Sequence, residues 1–213
     1  MASRFPARKL SRLDDDQLMV RCGRGDVAAL EVLLDRHQQA AYRYCWRIFR
    51  DHHTAEDATQ DFFMKLFRSA GNYEPRGHFT TWFYRVLANL CFDALRKKKR
   101  RRKVQGIHID PIACEGTELE PLAAAVDPAS GLRAAEAHDA VHEALADLPV
   151  QVRKALELRE FEGLRYREIG TVMELSLNEV KVLLHRGRKL LARRLKRTTV
   201  GREWARDAER PSS

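Results

Sequence analysis

Apolar residues in this chain recur every three to four positions over two long stretches, and no run alternates apolar with polar residues long enough to indicate a sheet. The first stretch, residues 26–95, contains a single proline, Pro75, within the Gly-Asn-Tyr-Glu-Pro-Arg-Gly sequence at 71–77. Because Gly and Pro favour turns, we predict a loop there. The second stretch covers about 133–196. This pattern predicts an all-α protein.

Residues 104–132, between the two stretches, have a different character. Pro111, Pro121 and Pro128 would interrupt a helix, and the acidic residues there occur with no Lys or Arg among them. Such a composition predicts an extended acidic linker. We therefore predict two small helical domains, at 14–103 and 133–197, joined by a flexible linker at 104–132 and followed by a polar tail at 198–213.

The formal net charge of +9 is concentrated locally. Residues 96–103 are all Lys or Arg, and 185–197 are again rich in both, whereas acids and bases nearly cancel over 26–95. Local positive charge predicts a polyanionic partner. The cysteines are spaced singly without a C-x-x-C pair, which favours reduced thiols over a zinc ribbon or a disulfide framework. No apolar stretch approaches about 20 residues, and residues 1–10 lack the apolar core of a signal peptide, so we expect a cytoplasmic protein without a membrane span.

A helix is predicted to begin at Thr54, which has the form of an N-cap with a carboxylate three residues later. Apolar side chains then fall on one side of the helix, which predicts a core face. A solvated helix face is the usual explanation for such a side, but an exposed Met beside acids and an amide favours docking on a basic helical partner. That side carries Asp57, Gln60, Asp61, Met64 and Arg68.

Residues 79–89 open a helix with more aromatic side chains than one buried face can absorb, so some rings are predicted to be exposed. Unstacked bases bind aromatic faces at about 1–3 kcal/mol per base, and basic side chains follow the strand backbone. The basic run at 96–103 follows on the same helix, although such a run alone also fits a solvated or disordered segment. Phe83, Val86, Leu87 and Leu90 are predicted to be core, and Trp82 fits either environment.

Residues 150–161 predict a helix closed by Gly163, a residue that readily adopts the left-handed conformation. A short helix at 166–173, a turn at Glu174 and Leu175, and the capping box at 176–179 follow. Two helices joined by a tight turn, the second of them basic, are typical of DNA-reading proteins, although an ordinary helical hairpin has the same spacing. In the second helix, Val180, Leu184, Leu190 and Leu191 are predicted to pack inward, and Lys181, His185, Arg186, Arg188 and Lys189 to be exposed.

Taken together, these segments resemble the extracytoplasmic-function (ECF) subfamily of the sigma-70 family of RNA polymerase sigma factors over residues 18–195. The similar motifs are Gly25-Asp26 with Ala29-Leu30-Glu31, Ala55-Glu56-Asp57 with Gln60-Asp61 and Phe63, Phe79-Thr80-Thr81-Trp82-Phe83-Tyr84-Arg85 with Asn89, Leu148-Pro149, Tyr166-Arg167-Glu168-Ile169, and Val180-Lys181 with Leu184-His185-Arg186-Gly187-Arg188. Two domains joined by a linker is also the layout of that family.

The resemblance implies a transcription initiation factor that is not an enzyme and has no catalytic residue, metal or cofactor. It implies that Asp57, Gln60, Asp61 and Met64 bind the clamp helices of the largest polymerase subunit. Promoter −10 DNA would be bound by Asn72, Tyr73, Arg76, Phe79, Trp82, Tyr84, Arg85, Asn89 and Arg96, with an extruded base captured by the loop at 72–78. The −35 element would be bound by Ser176, Asn178, Lys181, His185, Arg186, Arg188 and Lys189.

Further partners are implied by the same resemblance. They are the flap region of the polymerase and an anti-sigma protein, and the acidic linker would run toward the RNA exit path. The chain departs from the family at Val182 and Leu183, where a Ser-Arg pair is common. The missing Arg removes a groove contact, so either the −35 sequence is unusual or Lys181, Arg186 and Arg188 provide the upstream affinity through the DNA backbone. We favour the second explanation.

Two other classes of protein fit parts of the sequence. A stand-alone helix-turn-helix regulator explains the second stretch but gives the acidic side of the Thr54 helix and the aromatic helix no role. A metal-dependent nuclease would use Asp57 and Asp61 with His52 or His53, but these carboxylates are predicted to point outward, with no partner to form a cleft.

Overall fold

A computed structural model of the chain describes residues 10–75, 78–104 and 139–197, and the regular elements within these ranges are all helical. The predicted all-α fold is confirmed. The predicted tail, all of the predicted linker except Val104, and the site residue Arg76 lie outside the described residues. The chain divides into two compact units. The first includes residues 10–104 and also Arg167–Leu175. The predicted domain limits stay a prediction.

The first unit begins with four helices. They are α1 (Asp15–Cys22), α2 (Val27–Phe49), α3 (His52–Ser69) and α4 (Phe79–Val104), with a 3-10 turn at Ala70–Asn72 between α3 and α4. The remaining helical elements are α5 (139–146), α6 (Val150–Leu156), α7 (Tyr166–Met173) and α8 (Leu177–Leu195). A π-helical turn at Glu157–Phe161 continues α6. That turn was not predicted, because a single irregular turn leaves the apolar spacing nearly unchanged.

The N-terminus of α3 lies three residues earlier than predicted. The N-cap is Asp51, whose Oδ1 accepts a hydrogen bond from the Thr54 backbone N–H at 2.7 Å. The hydroxyl of Thr54 donates to the same carboxylate, and these two bonds lower the pKa of Asp51. Thr54 as N-cap was therefore wrong. The reason is that Arg50 ends α2 in the left-handed conformation (φ 53°), which leaves the next residue extended and free to cap α3.

Aromatic rings from α3 and α4 meet in the core of the first unit. Phe62 is fully buried, and its ring centroid lies 4.8 Å from that of Phe83 in an edge-to-face arrangement and 5.0 Å from that of Phe63. Such pairs stabilise a core beyond the area that they bury. The predicted core face of α3 is confirmed, with five buried residues: Ala55, Ala58, Phe62, Phe63 and Leu66.

The core of the second unit is built mainly from α6 and α8. Val152 and Leu156 of α6 and Val180 and Leu184 of α8 are buried. Gly163 ends the α6 segment with φ +68°, as predicted. A buried ion pair also lies in this unit, where Arg153 Nε and Glu157 Oε1 are 3.7 Å apart.

Gly187 allows α8 to approach α6 closely. A Cβ atom at this position would lie 2.8 Å from Val152 Cγ1 and 3.1 Å from Leu156 Cδ1. We expect Gly187→Ala to lower the free energy of unfolding by about 1–3 kcal/mol, because overpacking outweighs the better helix propensity of Ala. Chemical denaturation of the full chain, followed by far-ultraviolet circular dichroism, measures this change. Gly71→Ala is the control, since nothing lies within 4 Å of its Cβ position. Equal stability of Gly187→Ala and wild type would contradict the prediction.

Candidate protein- and nucleic-acid-binding surfaces

The outer face of α3 is exposed as predicted. Asp57, Gln60 and Asp61 are all exposed, and Met64 is 50% exposed. Asp57 and Asp61 form no ion pair with any residue that the structure describes, so both carboxylates are available to a partner. Phe62, Phe63 and Leu66 fix the rotation of the helix by packing on its opposite side. We call Asp57, Gln60, Asp61, Met64 and Arg68 the α3 stripe.

The aromatic residues at the start of α4 are more buried than predicted. Phe79 and Tyr84, both of them predicted −10 residues, are only 5% and 8% exposed, so neither is among the exposed rings that the sequence led us to expect. Phe79 lies 5.0 Å from the ring of His37, and Tyr84 lies 6.0 Å from the ring of Tyr44, measured between centroids. Both partners belong to α2, so α4 packs against α2 as well as α3 and buries more than one of its faces. Trp82 is half-buried.

The loop between α3 and α4 is anchored to α1. Tyr73 is 8% exposed, its hydroxyl donates a hydrogen bond to Asp16, and its ring centroid lies 5.3 Å from that of Trp82 in an edge-to-face contact. Burial, followed by the bond to Asp16, raises the pKa of Tyr73, so the hydroxyl remains protonated at neutral pH. Asn72, by contrast, is exposed. Of the predicted −10 residues in this loop, Asn72 therefore faces solvent, whereas Tyr73 supports the loop.

The sequence did not identify two residues that support this loop, Asp16 in α1 and Gly23 directly after it. Asp16 meets Tyr73 from 57 positions away, and Gly23, which caps the end of α1, lies where an added Cβ would come within 2.8 Å of the Ala70 carbonyl oxygen. Asp16 appears in the sequence only as one of several acidic residues around the start of a helix. No local signal could have identified a contact between residues so far apart.

Further along α4, the polar and basic residues differ in exposure. Arg85 and Arg96 are exposed and Asn89 is half-buried. Arg96 is paired with Asp93, with Nη1 and Oδ1 3.0 Å apart. The backbone is helical through 96–103 as far as Val104, so the basic run continues the helix rather than forming a coil. Its described side chains, Arg96, Lys97, Lys98 and Arg100, are exposed.

α8 begins with the predicted capping box. Ser176 Oγ accepts from the Glu179 backbone N–H at 3.3 Å, and Glu179 Oε2 accepts from the Ser176 backbone N–H at 2.7 Å. Hydrogen bonding to Ser176 lowers the pKa of Glu179. The preceding turn also agrees with the prediction, because Glu174 has φ +59° after α7 ends at Met173. A defined cap fixes where the face of α8 begins.

The outward face of α8 is basic, as predicted. Val180 and Leu184 are fully buried, whereas Asn178, Lys181, His185, Arg186 and Lys189 are exposed. None of these four basic side chains forms an ion pair with a described residue. Leu190 and Leu191 are half-buried rather than fully inward. The arrangement offers positive charge and hydrogen-bond donors along one side of a regular helix, which suits the phosphates and base edges of duplex DNA.

Arg188 differs from the other basic residues of α8. Its Nε and Nη2 atoms lie 3.0 and 2.8 Å from Glu160 Oε1, and Nη1 lies 3.4 Å from the Tyr166 hydroxyl. The hydrogen bond to Glu160, followed by that to Tyr166, raises the pKa of Arg188. Although Arg188 is a predicted −35 residue, its guanidinium group is already engaged within the second unit.

A metal-dependent nuclease needs a set of metal ligands. Among the residues that the structure describes, no three His, Cys, Asp or Glu side chains converge to hold a metal ion. Within the part of the chain that the structure describes, no helix is long and apolar enough to cross a membrane.

Comparison with known proteins identifies two family profiles along the chain. Sigma-70 region 2 matches residues 33–101, and Sigma-70, region 4 matches residues 138–191. The RNA polymerase sigma-H factor of Pseudomonas aeruginosa is 32% identical over 187 residues, which cover 87% of this chain and 96% of that protein. The ECF RNA polymerase sigma factor SigE of Mycolicibacterium smegmatis is 34% identical over 171 residues, 78% of this chain and 63% of that protein.

A solved structure has the same fold. It is the sigma factor RpoE from Bartonella quintana in complex with the anti-sigma factor NepR, which superimposes with a TM-score of 0.60 at 21% identity and covers 78% of this chain and 96% of that one.

Proposed function

Because the chain belongs to the sigma-70 family of RNA polymerase sigma factors, as a member of the ECF type, we propose which of its surfaces carry out each step of initiation. The α3 stripe binds the clamp helices of the largest polymerase subunit. The loop at 72–78 and the start of α4 capture and open the −10 DNA, and the outward face of α8 reads the −35 element.

One observation carries this proposal. The α3 stripe and the face of α8 are opposite in charge, and each is held outward by a buried apolar face on the same helix. An acidic and amide stripe complements basic helices of a protein, whereas a basic face complements DNA. A stand-alone DNA-binding regulator would need only the second surface.

Fewer of the predicted −10 residues are exposed than the sequence indicated. Asn72, Arg85 and Arg96 are exposed, and Trp82 is half-buried. We propose that these residues contact the opened strand, and that Tyr73, Phe79 and Tyr84 support the surface from beneath. An extruded base would then stack on Trp82 next to the Tyr73 ring.

Other aspects of the proposal concern the whole chain. A factor that works by binding polymerase and DNA acts in the cytoplasm, and we propose that it carries no enzymatic activity of its own. The structure of RpoE, which has a related fold, was solved in complex with the anti-sigma factor NepR. We propose that an anti-sigma protein also holds this chain inactive. Isolation of a stable 1:1 complex of the chain with such a protein from cell extract would support this proposal.

The decisive test compares core polymerase with and without the chain. We expect the reconstituted holoenzyme to start transcripts at discrete sites on genomic fragments, and polymerase core alone to start none there. Tight, sequence-specific binding to duplex DNA by the chain without polymerase would favour a stand-alone regulator instead. DNA cleavage that depends on a metal ion and is lost in Asp61→Asn would favour the nuclease.

The proposed contacts of α8 with the DNA backbone give a separate prediction. We expect Lys181→Ala, Arg186→Ala to weaken binding of the holoenzyme to upstream promoter DNA by at least about tenfold, and to reduce the slope of log K against log salt by about 2, because two phosphate contacts are lost. Titration of labelled promoter DNA at several salt concentrations measures both quantities. Arg12→Ala, Arg24→Ala is the control, with the same change of charge at exposed positions of the first unit. An unchanged slope in the α8 variant would rule out these contacts.

A further inference from the structure

Val182 is an apolar residue on the exposed face of α8, where its side chain has no hydrophobic core to pack into. It is 55% exposed, and among the large apolar residues that the structure describes only Val27 is more exposed. Val180, two positions earlier on the same helix, is fully buried. Because two residues correspond to about 200° of rotation on an α-helix, Val182 points away from the core of the second unit.

The neighbours of Val182 on the helix surface are polar or charged. Residues three and four positions away share its face, and these are Asn178, Glu179, His185 and Arg186, all of them exposed. The carboxylate of Glu179 accepts a hydrogen bond from the Ser176 backbone N–H within the capping box, so hydrogen-bonding and basic groups dominate the rest of this face. An apolar group surrounded by hydrogen-bonding and cationic groups can recognise a surface that presents a methyl group among acceptors and phosphates. The positive charge makes an anionic partner the best match.

The direction of the Val182 side chain is fixed by the packing of α8. Val180 and Leu184 fix the rotation of the helix, and the close approach at Gly187 fixes its distance from α6. The side chain itself is stiff, since a β-branched residue in a helix strongly prefers one χ1 rotamer. Val182 therefore presents its methyl groups at a defined position, which a contact with a single base requires.

We propose that Val182 reads the 5-methyl group of a thymine in the major groove of the upstream promoter element. This inference rests on the proposed function of α8 and adds the base that it selects. In the major groove, thymine is the only base that presents a methyl group, and apolar side chains are its usual contact. Asn178, one turn earlier, is placed to hydrogen-bond a neighbouring base, and Arg186, one turn later, is placed to bind a phosphate. The position thus contributes to specificity through an apolar contact in place of a charged one.

The test uses holoenzymes reconstituted from bacterial polymerase core and either wild type or Val182→Ala. The wild-type holoenzyme first selects its preferred upstream sequence from duplexes randomised over that region. Each thymine of the selected duplex is then replaced singly by deoxyuridine, which keeps base pairing and removes only the methyl group. Val182→Thr, which keeps one methyl group, is the matched variant. All three side chains are solvent-exposed at this position, so the variants are expected to fold.

We expect one deoxyuridine substitution to weaken binding of the wild-type holoenzyme about fourfold. This corresponds to about 0.8 kcal/mol, the contribution of one buried methyl or methylene group. The same substitution should leave Val182→Ala unchanged and have an intermediate effect on Val182→Thr. Equal effects of every substitution on wild type and Val182→Ala would overturn the inference, as would a selected element without thymine. If the holoenzyme selected no upstream sequence at all, the proposed function of α8 would itself fail, and that result is distinguishable from selection that ignores the methyl group.

Discussion

A Gln60→Ala, Asp61→Ala double variant should lose capture of RNA polymerase core, with the Kd raised by about two orders of magnitude. Both side chains are exposed on the α3 stripe, next to Met64. Their removal deletes a charge and an amide from the proposed interface while leaving the buried face of α3 untouched. A few anchoring residues dominate most protein interfaces, and each loss of 1.4 kcal/mol corresponds to a tenfold change in Kd. Pull-down of purified core polymerase, followed by titration, measures the effect.

The control for this experiment lies on α2. Asp35→Ala, Gln39→Ala removes the same two types of side chain, and both residues are exposed. We expect this variant to capture polymerase as wild type does. If neither wild type nor the control captured polymerase, the proposed function would be wrong. If the Gln60→Ala, Asp61→Ala variant bound as tightly as wild type, the binding surface would lie elsewhere on the chain.

Phe62→Ala should destabilise the first unit by about 3–5 kcal/mol. This is a large part of the free energy of unfolding of a typical protein, which is about 5–15 kcal/mol. Phe62 is fully buried and lies edge-on to both Phe63 and Phe83, so its removal leaves a cavity between α3 and α4. The cost therefore combines the lost transfer of the ring from water with an unfilled cavity.

Denaturant titration followed by tryptophan fluorescence measures this change. Of the three tryptophans, Trp46 and Trp82 lie in the first unit, so a Trp204→Phe background restricts the signal to that unit. Met64→Ala is the matched control, because Met64 lies on the exposed side of the same helix and should change stability by no more than about 0.5 kcal/mol. Equal effects of the two substitutions would contradict the assignment of the buried and exposed faces of α3.

Phe62 and the Gln60-Asp61 pair are adjacent in sequence but differ in what their loss should change. Substitution of Phe62 lowers stability and reduces polymerase binding only as far as the unit unfolds. Substitution of Gln60 and Asp61 reduces binding at unchanged stability. Measuring both quantities for both variants therefore separates the fold of α3 from its function.

The features that the sequence predicted correctly depend on residues close together along the chain. The limits of α7 and the capping box of α8 follow from turn and cap chemistry within about four residues. The two faces of α3 follow from helical spacing, because a regular helix places Asp57 and Asp61 on a different side from Phe62 whatever lies around it. These predictions needed no knowledge of which other helix would pack nearby.

Apart from the N-cap of α3 and the π-helical turn, which are local, the features that the sequence missed depend on contacts between distant residues. Phe79 and Tyr84 are buried because α2 covers them, and Tyr73 is anchored by Asp16, 57 positions away. Arg188 is engaged by Glu160, 28 positions away. The sequence by itself thus determined the helices, their faces and the family of this protein, since these depend on local spacing and motif chemistry. Tertiary packing decided which of the predicted aromatic and basic side chains remain exposed to a partner, because burial depends on which helices meet.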